Sequence, residues 1–314
     1  MTSRFPKSLL LPSFIYTERN KRNKSVIRAI KLGILCRLAV IAFELIGVIL
    51  VGSAVLFLDA IASFADVMCS VFLLICLKIA HKPPDEDHPF GHGRYEPLGG
   101  VFSGVLLIVL GIVMLVQQLL GAFREVHFGQ IHPWAWVFPV ITVIVLEIAY
   151  QIIIRIAKKQ HSPALISDAY HYRFDSLTSL FATLALGVGA IWPTISVVVD
   201  YVGAISIALF MTLVGFFASR KNFNQLMDKV PEEKFFRLVK NAARQTSGVA
   251  STEKIRIQQY GPDAHVNIDV EVDPSLSVAK AHKISQQVRL EIQKAWPAVR
   301  DVTVHIEPFY NNDH

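Results

Sequence analysis

The chain has 314 residues, of which 53% are hydrophobic and 18% charged, with a formal net charge of +6. That is too apolar for an ordinary soluble protein, and the basic excess collects beside apolar runs, where it marks membrane topology rather than nucleic-acid binding. Cys36, Cys69 and Cys76 all fall inside apolar runs with no C-x-x-C pair, which argues for small buried hydrophobes and against a disulfide framework or thiolate metal site.

Residues 1–27 form a basic N-terminal segment carrying Arg4, Lys7, Arg19, Lys21, Arg22 and Lys24. Its SLLLP stretch is too short an apolar run for a cleavable signal. Six apolar windows follow, near 28–51, 53–79, 97–122, 133–157, 163–190 and 197–218. Each is long enough to span a bilayer, which takes ~20 residues. Lys82 and Arg94 follow the second window, and Arg155, Lys158 and Lys159 follow the fourth, whereas the opposite loops carry little beyond Arg124. Positive-inside bias then places both termini in the cytoplasm. The expected domains are the basic segment 1–27, a six-helix transmembrane domain over 28–218 and a cytoplasmic domain over 219–314.

Between the second and third windows, HKPPDEDHPFGHGRYEPL is rich in proline and glycine and reads as a turn-forming cytoplasmic loop. In the tail, EEKFFRLVKNAARQ has helical spacing after Pro231, while EKIRIQQ and HVNIDVEVD alternate with period two across the turn YGPDA. SVAKAHKISQQVRLEIQKAW is an amphipathic helix, and DVTVHIEP is a third strand. The order α-β-β-α-β predicts a small α+β layer sandwich, its helices on one face of the sheet.

Three groups of residues carry candidate chemistry. Asp59 and Asp66, seven apart in SAVLFLDAIASFADVMCS, share a helix face, and so do His171 and Asp175, four apart in LISDAYHYRFDSLTS. Ionisable groups inside a membrane helix are costly and mark the path of something polar. Asp66, His171 and Asp175 suit a borderline divalent cation such as zinc, cobalt or iron(II). The alternative is a structural ion pair with Arg37 or Arg173, although Arg173 lies about 200° around its helix from His171. Asp59 either joins this site or lies one layer away in its access path, and Glu44, Glu147 and Asp168 line it or are ion-paired. The loop offers Asp85, Glu86, Asp87, His88 and His92, either a zinc site or a solvated acidic turn. On the tail strands Asp269, His305 and Glu307 fall on outward positions and His282 on the intervening helix, where a solvated face is the simpler alternative to a metal site.

Taken together, six spans, GSAVLFLDAIASFAD, DEDHPFGHGRYE, HYRFD and the α-β-β-α-β tail resemble the cation diffusion facilitators over about residues 28–310. The resemblance implies a proton-coupled exporter of divalent metal, a homodimer with a metallochaperone-like cytoplasmic domain. By resemblance, Asp66, His171 and Asp175 are transport ligands, and Asp85, His88 and His92 are a loop zinc site. His282, His305 and Glu307 match a binuclear tail site, with Glu253 and Asp269 where better-known zinc members have histidine. Arg94 and Asp228 occupy positions of a charge interlock between membrane and cytoplasmic halves. The fourth transport ligand of the family, a His, Asp or Asn, is replaced here by Ala62, so either water or Asp59 completes the coordination or the intramembrane affinity is much reduced.

The sequence thus predicts a multi-pass exporter of the plasma (bacterial inner) membrane, not an enzyme. It would work in the lipid bilayer as a homodimer, exchanging a divalent cation for protons, with no nucleic-acid partner. Zn2+ and Fe2+ are favoured by His171, with Co2+ and Mn2+ as alternatives. Two rival classes are a non-transporting metal sensor or heteromer subunit, for which Ala62 speaks, and a proton or anion channel, which leaves the loop and tail histidines unexplained.

Overall fold

The computed structural model describes residues 12–51, 54–121, 137–189, 193–261 and 263–310. Arg4, Lys7 and Arg124, together with the side chains of Asp59 and Ala62, lie outside the described residues. The chain divides into two compact units, one of residues 25–79 and 95–223, the other of 1–24, 80–94 and 224–314.

Six long helices supply the first unit: α1 (Ser13–Val51), α2 (Ala54–Ala80), α3 (Tyr95–Gly121), α4 (Val137–Lys159), α5 (Pro163–Gly189) and α6 (Pro193–Leu226). Among the described residues, α1, α3 and α4 are long and apolar enough to cross a membrane. α5 interrupts its apolar run with Asp168, Arg173 and Asp175, and parts of α2 and α6 lie outside the described side chains. Leu35, Ile49, Val116, Ile144 and Ile148 are exposed on the helices, while Arg37, Glu44, Asp66, Asp168 and His171 are buried. That inversion of the soluble pattern fits a hydrocarbon surround, in which charges turn toward the bundle interior.

Inside, Ile30 and Val40 of α1, Leu73 and Leu77 of α2, Leu146 and Ile153 of α4, and Leu165 and Tyr172 of α5 form one apolar cluster. α3 and α6 meet differently. A Cβ added to Gly104 would lie 2.4 Å from the Ser219 hydroxyl, and one added to Gly215 would lie 2.8 Å from the Gly104 carbonyl. Glycine there lets two backbones approach closely, which is how helices associate where no hydrophobic difference exists between side chain and lipid tail.

The first helix starts well ahead of the expected span. TERNKRNK contains neither glycine nor proline, and Pro12 caps its start, its carbonyl accepting from the Ile15 amide at 3.0 Å. This extension is anchored in the second unit. Ile15 is fully buried, and the Arg19 guanidinium donates to the carbonyls of Pro297 and Val299, each at 2.7 Å.

The tail follows the expected order: α7 (Glu233–Arg244), β1 (Ser251–Tyr260), β2 (Asp263–Val272), α8 (Val278–Ala295) and β3 (Val299–Pro308). The sheet order is β1-β2-β3, antiparallel between β1 and β2 and parallel between β2 and β3. The parallel pair follows from α8, which provides the crossover such a pair needs. Val266, Ile268 and Val270 of β2, with Val302 of β3, pack against Val239 of α7 and Val288 and Ile292 of α8. Period two therefore sends Asp269, His305 and Glu307 to the face away from the helices.

Candidate metal sites

The membrane group is assembled by α1, α2, α3 and α5. Asp66 is held with one oxygen 3.8 Å from His171 Nδ1 and the other 3.7 Å from Arg37 Nη1. His171 Nε2 lies 3.1 Å from the carbonyl oxygen of Ser103. A carbonyl only accepts, so Nε2 donates to it, and Nδ1 is the nitrogen left facing Asp66. In a tetrahedral zinc site with ~2.0 Å bonds, neighbouring donor atoms stand about 3.3 Å apart, so the Asp66–His171 edge is close to ligating geometry. Asp175 is engaged otherwise: its Oδ2 accepts from Arg37 Nη2 at 2.6 Å. Thus the ion pair weighed from sequence as an alternative is present, and its cation is Arg37. Arg173 turns the other way, pairing with Glu147 and lying over the Tyr150 ring.

Around this group the other polar residues have partners. Ser70 donates to Asp168 Oδ1 at 2.8 Å, and Thr142 lies 3.5 Å from Glu44. The Arg37 guanidinium rests 4.1 Å from the centroid of the Tyr172 ring. Gly33, one turn before Arg37 on α1, makes room for that tyrosine, since a Cβ there would sit 2.4 Å from its hydroxyl. Gly33→Ala is therefore expected to shift Tyr172 and destabilise the protein by about 1–3 kcal/mol, the usual penalty for overpacking. Thermal unfolding in detergent checks this, with an unchanged melting temperature as the contrary result.

The loop brings its ligands together more tightly. Asp85, His88 and His92 each offer a donor atom within 4.8 Å of the others. Asp85 Oδ1 is 3.4 Å from His88 Nδ1, and Oδ2 is 3.4 Å from His92 Nε2. Gly91, at φ +84°, turns the backbone between the histidines, and its amide donates to the His88 carbonyl at 2.9 Å. The backbone amide of His88 also donates to Asp85 Oδ1, which holds that carboxyl below its ordinary range. Glu86 and Asp87 are exposed and lie outside the group. Arg94 meets Asp228 at 3.1 Å, the latter placed by a left-handed φ of +53° just after α6.

On the tail sheet, the register sets Glu253, Asp269 and His305 in one row, because Asp269 pairs with both of the others. Asp269, His305 and Glu307 form the second group within 4.8 Å. His305 Nδ1 lies 3.6 Å from Asp269 and 3.2 Å from Glu307. Lys254, held at φ +42° in the bulge between Glu253 and Arg256, reaches both carboxylates at 3.5 and 3.7 Å. His282 is not brought to this group. It is exposed on α8, which covers the opposite sheet face, and its ring contacts Gln286.

Residues 30–227 match the profile of the cation efflux transmembrane domain, and residues 231–309 that of the cation efflux protein cytoplasmic domain. The chain is 27% identical over 263 residues to the manganese efflux system protein MneP of Bacillus subtilis, covering 82% of this chain and 88% of that protein. It is 30% identical over 254 residues to the uncharacterized transporter MJ0449 of Methanocaldococcus jannaschii, covering 79% of this chain and 86% of that one. The magnetosome protein MamB of Paramagnetospirillum magneticum is 28% identical over 258 residues, with 82% and 86% covered.

Proposed function

Because the chain belongs to the cation diffusion facilitator family of membrane cation-efflux transporters, we propose that it exports a divalent metal from the cytoplasm in exchange for protons. The observation that carries this reading is that Arg37 joins half-buried Asp175 to Asp66, which is itself buried beside His171 in the helical unit. A ligating carboxylate must be deprotonated and a ligating imidazole neutral, so metal entry releases protons and protonation releases metal. Six helices would cross the plasma membrane with both termini in the cytoplasm, and a homodimer would join through the tail. Asp85, His88 and His92 would hold a second ion, and Asp269, His305 and Glu307 a third, with Glu253 beside them on β1 and His282 supplied by a second copy. His171 favours zinc or iron(II) over manganese, although MneP is named for manganese efflux.

The test is purified protein in liposomes with a metal-sensitive dye and an imposed pH gradient, offering zinc, iron(II) and manganese in competition. Metal flux that discharges the proton gradient is the expected result, and proton flux indifferent to metal would overturn it. The second reading, a non-transporting sensor or heteromer subunit, draws support from Ala62 and from the Arg37–Asp175 pair; it expects metal binding with no flux. Ala62→His or Ala62→Asp supplies a fourth donor and is expected to tighten membrane-site binding by about tenfold or more. If neither changes affinity, Asp59→Ala shows whether Asp59 already fills that position.

A further inference from the structure

We propose that Arg37 is a tethered counter-cation of the transport site, occupying the Asp66–Asp175 pair when metal is absent and displaced by the entering divalent ion. The inference rests on reading Asp66, His171 and Asp175 as that site. Arg37 is 2% exposed and fully charged at any physiological pH. A buried charge needs a partner, and the partners it takes are the carboxylates a metal would use: Asp175 at 2.6 Å and Asp66 at 3.7 Å. The planar fork of the guanidinium turns a separate nitrogen to each acid, Nη2 to Asp175 and Nη1 to Asp66.

Two features suit Arg37 to exchange rather than to a permanent lock. Its contacts are uneven, tight to Asp175 and long to Asp66, so the Asp66–His171 edge stays open to an ion arriving first. The Tyr172 ring, 4.1 Å from the guanidinium carbon, gives the displaced cation a stabilising surface within the same cluster. An ion bound to Asp66 and His171 then competes with Arg37 for Asp175. Metal affinity is the difference between those two interactions, and the arginine sets it low enough for release. A site holding two carboxylates and one fixed cation also selects doubly over singly charged ions, since a monovalent ion gains little by replacing the guanidinium.

The experiment measures zinc binding to the full-length protein against a chromophoric chelator, with His88, His92, His282 and His305 changed to alanine so that only the membrane site contributes. R37Q is expected to bind zinc at least about tenfold more tightly than the Arg37 parent, and R37K about two- to fivefold more tightly, because its ammonium keeps the charge but lacks the forked pair of nitrogens. In liposomes, R37Q is expected to lower KM and kcat together, since tighter binding slows release; a merely structural loss leaves KM unchanged or raises it. Equal or weaker zinc binding by R37Q overturns the proposal. If R37Q does not fold, R37K decides by the same criterion. The double variant D66N/D175N separates the two readings: zinc affinity that survives it refutes the transport site itself, whereas its loss together with unchanged R37Q affinity refutes only the role of Arg37.

Discussion

Asp175→Asn is expected to reduce metal-dependent flux in liposomes by more than about a hundredfold, a larger loss than removal of an outer-shell partner causes. Asparagine is the better probe than alanine here. Buried Arg37 donates to half-buried Asp175 at 2.6 Å, and truncating that acceptor would strand a guanidinium at a cost of about 3–5 kcal/mol. The amide oxygen keeps the hydrogen bond while removing the anionic ligand, so loss of flux is separable from loss of fold. Thermal unfolding of the same variant in detergent should therefore stay near wild type. Full flux from Asp175→Asn would take this residue out of the mechanism.

The two layers of the site differ in how far the sequence reveals them. Ligand spacing is local: four residues set His171 and Asp175 on one face of α5, and a Gly-containing turn sets His88 against His92. Alternation likewise placed Val266, Ile268 and Val270 inward and Asp269, His305 and Glu307 outward, as found. What occupies those groups is not local. Beyond Lys31, α1 is apolar apart from Arg37 and Glu44, so the face that carries Arg37 inward is decided by packing, through Gly33 and through Tyr172 on a helix far away in sequence. Lys254 is hidden for a related reason, since strand alternation gives no sign of the bulge that swings it over Asp269 and Glu307. His282 shows the opposite limit. Its residue type fits a ligand, but α8 packs on the Val266 side of the sheet and carries it away from His305. The helical start at Ser13 was also unread, because a charged stretch with no breaker is compatible with helix or coil until Arg19 finds the carbonyls of Pro297 and Val299.

The tail group is expected to respond to zinc as a stability switch. Asp269, Glu307 and, in register beside them, Glu253 bring negative charges close on one sheet face, where exposed Lys254 reaches the first two. A divalent ion neutralises them more fully, and Lys254, long and solvated, can swing away at little cost. The fragment 219–314 contains the whole apolar core of α7, α8 and the three strands, so it can be tested alone. At zinc a hundredfold above Kd, binding adds about 2.7 kcal/mol. For a domain of this size that raises Tm by roughly 10–20 °C. His305→Ala removes the imidazole central to the group and should abolish most of the gain. His282→Ala separates two geometries: if it also abolishes the gain, and only at concentrations where the fragment dimerises, His282 of one copy completes the site of another. A wild-type Tm indifferent to zinc would leave Asp269, His305 and Glu307 as a solvated sheet face held together by Lys254.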